Sequence, residues 1–108
     1  MSNFHHSCEI DSCRVENGHI LRCRVARADG EFVESEIDLN SCIGNEDGSF
    51  QWGAGNFSES AEEIRFEFEG DQPILRARLR RENGEWEERD INLTERIMNR
   101  DGCLSFEF

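Results

Sequence analysis

The chain contains an internal repeat, in which residues 20–52 recur 54 positions later as residues 74–106. Fourteen of the 33 aligned pairs are identical, and Asp47-Gly48 and Asp101-Gly102 are among the shared residues. An open stack of repeats needs about three or more units to bury its faces. We therefore predict that the two copies, about residues 1–53 and 54–108, close on each other in one pseudo-symmetric domain.

Composition narrows the class of function. The 108 residues are 36% hydrophobic with eight Phe and two Trp, which is enough for one modest core. The net charge of -12 would repel a nucleic-acid backbone. No stretch approaches the roughly 20 apolar residues that span a bilayer, and the first residues do not resemble a signal peptide. We expect a soluble protein without nucleic-acid or membrane partners, cytoplasmic or non-classically secreted.

Each copy predicts short β-strands. Apolar residues alternate with arginine in residues 21–25 and again in residues 75–80, which is the pattern of a half-buried strand. Asp29-Gly30 and Asn83-Gly84 predict hairpin turns. Residues 45–48 and 99–102 predict a second turn in each copy. Brief helical turns are expected at residues 40–43 and 94–98, capped by their first residue, so the predicted fold class is all-β.

The aromatic residues predict where the core lies. Phe32 and Trp86 differ in parity from Ile37 and Ile91 further along the same strands, which predicts a bulge or bend between them. Trp86 is then expected in the core. The later aromatics are also expected to point inward: Phe50, Trp52, Phe106 and Phe108. A further prediction is a capped turn opened by Asn56, with Glu59 three residues on.

Taken in order, these motifs resemble one family, the cyanovirin-N homologue lectins, in the tandem-repeat form typical of fungi. The resemblance spans essentially the whole chain. It is carried by Asn3-Phe4, Cys8 with Cys23, and residues 37–41, 45–52, 56–59, 91–93 and 99–102.

The resemblance implies a fold and an activity. The implied fold has two triple-stranded sheets and β-hairpins exchanged between the repeats. One pseudo-domain would combine about residues 1–42 with 97–108, and the other would hold about residues 43–96. The implied activity is non-catalytic binding of Manα1-2Man termini on high-mannose oligosaccharides or glycoproteins, with no cofactor and no metal.

Sugar hydroxyls both donate and accept hydrogen bonds, so a pocket needs Asp, Asn and Arg side chains. Each bond contributes only about 1 kcal/mol, and the affinity of each site should be weak. By the resemblance, the first pocket would contain Ser2, Asn3, His6, Ser7, Arg24, Asn99, Arg100 and Asp101. The second pocket would contain Gly44, Asn45, Glu46, Asp47, Gly55, Asn56, Glu59, Ser60, Arg78 and Arg80.

Departures from the family pattern indicate which of the two pockets better preserves the sugar-binding chemistry. In the first pocket, Arg24 replaces an acidic residue and Ala26 replaces a hydroxyl. In the second, Gly44 replaces an acidic residue, while Asp47 and Arg80 keep suitable chemistry. We expect the second pocket to be the better preserved.

The five cysteines leave at least one thiol unpaired if the others pair. The resemblance implies a Cys8–Cys23 disulfide, which would close a loop of about 15 residues and stabilise the fold by roughly 3 kcal/mol. Cys13, Cys42 and Cys103 have no evident partner in the sequence. Reduced and oxidised states both remain open.

The same motifs are compatible with other functions. The Asp-Gly turns can be simple turns, and the arginines can be a solvated strand face. An EF-hand would need acids where Ile43 and Ala54 stand. A zinc site lacks Cys-x-x-Cys spacing among its candidate ligands, Cys8, Cys13, His5 and His6. No nucleophile elbow or phosphate loop suggests an enzyme. The remaining alternative is a structural or protein-interaction domain with degenerate sugar pockets.

The junction of the two copies bears on the oligomeric state. It reads Gly53-Ala54-Gly55, where related hinges carry a rigid proline, and hinge changes alter the balance between a monomer and a swapped dimer. We expect mostly monomer.

Overall fold

The computed structural model describes residues 8–70 and 72–107, and it confirms an all-β fold. Short 3-10 turns lie at Ile10–Ser12, Leu39–Ser41, Phe57–Ser60 and Leu93–Glu95, and no α-helix occurs in these residues. The strands are β1 (Arg14–Glu16), β2 (Ile20–Ala26), β3 (Phe32–Asp38), β4 (Ile43–Glu46), β5 (Ser49–Trp52), β6 (Ala61–Glu69), β7 (Gln72–Arg80), β8 (Trp86–Asn92), β9 (Ile97–Arg100) and β10 (Cys103–Phe106).

The strands form two three-stranded sheets and two hairpins. One sheet has the order β1-β2-β3 and the other β6-β7-β8, while β4 pairs with β5 and β9 with β10. All pairings are antiparallel. The register places Leu21 opposite Ile37 and Leu75 opposite Ile91, so equivalent residues of the two copies occupy equivalent places in the two sheets.

The predicted alternation of buried and exposed residues in β2 and β7 is confirmed. Leu21, Leu75 and Leu79 are fully buried, and the arginines between the apolar positions face outward. Burial of a leucine side chain contributes about 1.5–3 kcal/mol. Residues of both copies belong to a single hydrophobic cluster, so the copies share one core.

The helical turns differ slightly from the prediction. Each begins one residue earlier than expected, because Asp38 and Asn92 at the strand ends accept the N–H groups of Asn40 and Thr94 at 2.9 Å. The turn at Phe57–Ser60 follows Asn56, but the Asn56 side chain makes no capping hydrogen bond. The predicted side-chain cap at Asn56 is therefore wrong, since its left-handed backbone, with φ 60°, replaces the extended geometry of a usual N-cap.

Neither β3 nor β8 contains the bulge that was one of the two predicted explanations of the parity difference. Both strands pair with β2 and β7 without a break in register, with Phe32 opposite Ala26 and Trp86 opposite Arg80. The aromatics differ in parity from the isoleucines because they lie on the opposite, outer faces of the sheets, where Phe32 is 43% and Trp86 37% exposed. The register shift lies instead in β6, between Glu62 and Arg65.

The later aromatics point inward as predicted. Phe50, Trp52 and Phe106 are partly buried against the core. The rings of Trp52 and Phe106 stack with their centroids 5.8 Å apart, which links β5 of one copy to β10 of the other. Phe108 lies outside the described residues.

Each hairpin docks on the sheet formed by the other copy. Asn45, at the β4–β5 turn, donates to the carbonyl oxygen of Arg80 at 2.9 Å. Asn99, at the β9–β10 turn, donates to the carbonyl oxygen of Ala26 at 2.8 Å. We propose that the two pseudo-domains expected from the resemblance, residues 1–42 with 97–108 and residues 43–96, describe this arrangement, and these contacts support that division.

Candidate functional site

Two tight turns carry the predicted site residues. Asp47 and Gly48 have φ values of 47° and 88°, and Asp101 and Gly102 have φ values of 50° and 88°. Positive φ at both central residues identifies type I′ hairpin turns. A Cβ on Gly48 would also lie 2.7 Å from Cγ of Arg81, so both the backbone geometry and the close packing of the turn require glycine there.

Three short hydrogen bonds of Asn45 close its turn and hold the turn against neighbouring segments. Its Oδ1 accepts the Gly48 N–H at 2.8 Å. Its Nδ2 donates to Oγ of Ser60 at 2.8 Å and to the carbonyl oxygen of Arg80 at 2.9 Å. These bonds bring predicted residues from three separate segments of the chain to one place.

The Asp47 carboxylate is also held by the protein. Its Oδ1 accepts the backbone N–H of Glu82 at 3.0 Å, and its Oδ2 lies 3.5 Å from the Arg81 guanidinium. The backbone hydrogen bond from Glu82, aided by Arg81, lowers the pKa of Asp47 below its ordinary value of 3.8. The carboxylate is therefore charged at neutral pH.

Several other predicted side chains of the second pocket are uncommitted, in the sense that no hydrogen bond or ion pair with the described residues engages them. Within residues 8–70 and 72–107, no hydrogen bond or ion pair engages the side chains of Glu46, Asn56, Glu59 and Arg80, and all four residues are exposed. Arg78 differs, since it pairs with Glu62 and Glu63 at 3.0 and 3.1 Å. The region therefore offers cationic, anionic and amide groups that are free to bind a polar ligand.

Gly44 packs closely against residues 54–56 next to this region. It is buried and forms an isolated β-bridge with Asn56. A Cβ at this position would lie 2.5 Å from Cβ of Ala54 and 2.9 Å from the backbone nitrogen of Gly55. The acidic side chain that the family pattern places here has no room, so Gly44 positions the predicted residues rather than binding a ligand.

The first predicted pocket is only partly described. Ser2, Asn3, His6 and Ser7 lie outside the described residues. Arg24 pairs with Glu9 at 2.6 Å, and Arg100 pairs with Glu107. The Asp101 carboxylate accepts the Ala28 N–H at 2.7 Å. The described charged groups of this pocket are thus already engaged.

All five cysteines are thiols in the structure. The Sγ atoms of Cys8 and Cys13 lie 3.5 Å apart, well beyond the disulfide bond length of about 2.05 Å. Hydrogen bonds with Cys13 and Cys8 raise the pKa of Cys23. Folding brings Cys13, for which the sequence offers no evident partner, beside both thiols of the predicted disulfide. That Cys8–Cys23 disulfide remains a prediction for the oxidised protein.

A shallow cleft of about 580 Å³ lies between β5 and β8, and none of its lining residues belongs to either predicted pocket. The sequence motifs gave no sign of it. Its polar side chains are largely satisfied within the protein; for example, Trp52 donates to Glu95 at 3.0 Å and Asn92 to Gln72 at 2.8 Å. The lining residues are Ser49, Phe50, Trp52, Ile74, Arg89, Asp90, Ile91, Asn92 and Glu95.

Two other classes of site were sought. Among the described residues, no three His, Cys, Asp or Glu side chains are placed to hold a metal ion. In the same part of the chain, no helix is long and apolar enough to cross a bilayer.

Comparison with known proteins gives a consistent result. Residues 4–105 match the CVNH domain family. A cyanovirin-N homolog of Neurospora crassa is 47% identical over 98% of this chain and 99% of its own length, and its solved structure, which covers 100% of both chains, superposes with a TM-score of 0.80.

Two other solved structures contain sugars. A microvirin:mannobiose complex is 33% identical, with a TM-score of 0.86 over 99% of this chain and 100% of that one. A MoCVNH3 variant in complex with (N-GlcNAc)4 is 26% identical, with a TM-score of 0.86 over 98% and 97% of the two chains.

Proposed function

The chain belongs to the cyanovirin-N homologue family of lectins, and we propose that it binds Manα1-2Man termini of high-mannose glycans without catalysing a reaction. The family is generally non-catalytic, and its members with sugars in their solved structures include microvirin with mannobiose. The proposed site is the second pocket, at the β4–β5 turn and the end of β7.

One observation carries this proposal. Three short bonds of Asn45 fix the β4–β5 turn beside Ser60 and β7. Glu46 and Glu59 adjoin the bonded residues in the chain and Arg80 is one of them, and no hydrogen bond or ion pair with the described residues engages these three side chains. A pre-formed pocket loses little conformational entropy when it binds. Glu46 and Glu59 supply acceptors, while Arg80 supplies donors, which is what a ring of hydroxyls requires.

The expected affinity follows from the number of available groups. Four uncommitted side chains that each contribute about 1 kcal/mol would give roughly 4 kcal/mol, which corresponds to a Kd of about 1 mM. Charge-assisted bonds to Arg80 and the two glutamates are stronger and would bring the Kd toward about 0.1 mM. We propose one such site at the second pocket and weaker binding at the first.

Arg80 provides a direct test. We expect Arg80→Ala to weaken mannobiose binding about tenfold in calorimetric titrations, because a charge-assisted donor is lost, with the fold unchanged because the side chain is exposed. Arg65→Ala is the matched control, since Arg65 lies on the same sheet, pairs with Glu88 and belongs to neither pocket. Equal affinities of both variants and the wild type would contradict the proposed site.

The sugar class is tested separately on a glycan array. We expect selectivity for oligosaccharides that end in Manα1-2Man. Binding to N-acetylglucosamine oligomers alone, the ligand class of the MoCVNH3 variant complex, would contradict the mannose assignment while leaving a lectin. A blank array with folded protein would favour the alternative, a structural or protein-interaction domain.

We further propose that the protein is mainly monomeric. The chain is tied to the first half on both sides of the junction at residues 53–55: the Gly53 N–H donates to the Cys42 carbonyl oxygen at 2.8 Å, and the Asn56 N–H donates to the Asn40 carbonyl oxygen at 2.9 Å. The second bond crosses the junction and favours the closed chain. Light scattering across a concentration series is expected to give the mass of one chain, and a persistent dimer would indicate exchange between two molecules.

A further inference from the structure

The outer face of β7 carries a row of arginines, each facing one residue of β8. Arg76 lies opposite Asp90 and Arg78 opposite Glu88. Residues directly opposite in an antiparallel pair have their side chains on the same face, with Cβ atoms about 5 Å apart. At the first two positions of this row an arginine therefore faces an acid: Asp90 pairs with Arg76 at 3.2 Å, while Glu88 pairs with Arg65.

The third position breaks this pattern. Arg80 lies opposite Trp86, so an indole replaces the acid, and no hydrogen bond or ion pair reaches the Arg80 side chain from the described residues. Trp86 is 37% exposed. The end of the sheet thus presents an unpaired guanidinium beside an accessible aromatic ring.

The indole is also held in place. The guanidinium carbon of Arg78 lies 5.9 Å from the centroid of the Trp86 ring, which is within the range of a cation–π contact. Arg78 itself is anchored by Glu62 and Glu63. These contacts keep the ring on the outer face of the sheet, where its remaining exposed surface can meet a ligand.

This pair of residues adjoins the proposed site. The Arg80 carbonyl oxygen accepts the hydrogen bond from Asn45, and the side chain of Arg80 belongs to the predicted pocket. Trp86 was predicted to lie in the core and belongs to neither predicted pocket. A ligand in that pocket that extended along the end of β7 would next reach Trp86.

We propose that Trp86 and Arg80 form an additional subsite that takes a neighbouring pyranose ring of the bound glycan. The inference rests on the proposed lectin function. One face of a pyranose presents C–H groups, and an aromatic ring offers a flat apolar surface whose negative face attracts such polarised hydrogens. The Arg80 guanidinium donates hydrogen bonds to the hydroxyls at the ring edge.

The first copy provides an internal comparison. The equivalent cross-strand pair is Ala26 with Phe32, and Phe32 is 43% exposed. That position keeps an accessible aromatic ring without the cation beside it. Phe32→Ala is therefore the matched control for Trp86→Ala, since each variant removes one exposed ring from the same place in a sheet.

The test compares a disaccharide with a longer glycan. Calorimetric titrations would measure Kd for mannobiose and for an oligomannose of three or more residues that ends in Manα1-2Man. We expect Trp86→Ala to leave the mannobiose Kd within about twofold and to weaken the longer glycan about 3- to 10-fold, the usual worth of one aromatic contact. Trp86→Phe should restore most of the loss, and Phe32→Ala should change neither value.

Fluorescence gives a second readout. In a Trp52→Phe background, Trp86 is the only tryptophan, and its emission should shift with the longer glycan and stay unchanged with mannobiose. Equal effects of Trp86→Ala on both sugars, or on neither, would overturn the subsite. Absence of mannobiose binding by the wild-type protein would instead overturn the proposed function, so the two failures are distinguishable.

Discussion

Gly44 is the position where one added carbon should cost most. It is buried and bridges to Asn56. In Gly44→Ala the new Cβ would meet Cβ of Ala54 at 2.5 Å, and the backbone nitrogen and oxygen of Gly55 at 2.9 and 3.0 Å. Carbon atoms pack best at about 3.5–4.0 Å, so the linker would have to move by roughly 1 Å.

The expected loss of stability follows from that displacement. Overpacking a closed site costs about 1–3 kcal/mol, and two of the three contacts here involve backbone atoms that no rotamer change can move. Because 1 kcal/mol lowers the Tm of a domain of this size by about 4–8 °C, we expect a fall of roughly 4–24 °C. Urea denaturation followed by tryptophan fluorescence measures the free energy of unfolding directly.

A double-mutant cycle isolates the contact. Ala54→Gly removes the atom that makes the shortest contact, so Gly44→Ala/Ala54→Gly should be more stable than the sum of the single changes by about 1 kcal/mol. Position 44 corresponds in the repeat to Met98, which is only half-buried, so a side chain as such is compatible with this hairpin register. Strict additivity, or a loss below about 0.5 kcal/mol for Gly44→Ala, would refute the packing argument.

Three further predictions concern the same region and the thiols. Asn45→Asp keeps the acceptor for the Gly48 N–H but loses both Nδ2 donations, so the free energy of unfolding should fall by about 2 kcal/mol in urea denaturation, and an unchanged midpoint would contradict this role. Asp47 has a lowered pKa in the folded state, so its contribution to stability is full above the ordinary pKa of 3.8 and is lost as the pH falls through the lower folded pKa. The Tm of Asp47→Asn should therefore fall less steeply with acid than the Tm of the wild type. Parallel plots of Tm against pH would contradict this contribution of Asp47. Because Cys13 contacts the Cys8 thiol, oxidation by glutathione disulfide should form both a Cys8–Cys13 and a Cys8–Cys23 disulfide, detected by peptide mapping, with release of two glutathione thiols for each disulfide. Cys13→Ser should form only the Cys8–Cys23 disulfide, and a wild-type protein with only that disulfide would contradict the contact between Cys13 and Cys8.

The local structure could be predicted from the sequence because its signals are local. Alternation of apolar residues with arginine located β2 and β7, and Asp-Gly pairs located the turns where φ is positive. The docking of each hairpin on the opposite sheet came only from the family resemblance. Strand periodicity carries no information about which distant segment a turn contacts, and the bond from Asn45 to Arg80 spans 35 positions.

Trp86 shows where the parity argument failed. The prediction places a large aromatic residue in the core, which requires a bulge or bend in the strand. The five residues between β7 and β8 instead place Trp86 opposite Arg80 on the outer face. The charge pattern of β8 held a usable signal, because Trp86, Glu88 and Asp90 share one parity and the two acids are outward-facing. The contact of Cys13 with Cys8 had no comparable signal, since it depends on how the segment before β1 folds over β2.

A nitrogen–proton correlation NMR titration of labelled protein with Manα1-2Man tests the central claim most directly. The account predicts fast-exchange shifts, saturating at sub-millimolar to millimolar sugar, concentrated at residues 44–47, 55–60 and 78–82. Shifts confined to residues 99–102 and the N-terminal residues would contradict the choice of site. A well-folded sample whose spectrum did not change at millimolar mannobiose would contradict carbohydrate recognition itself.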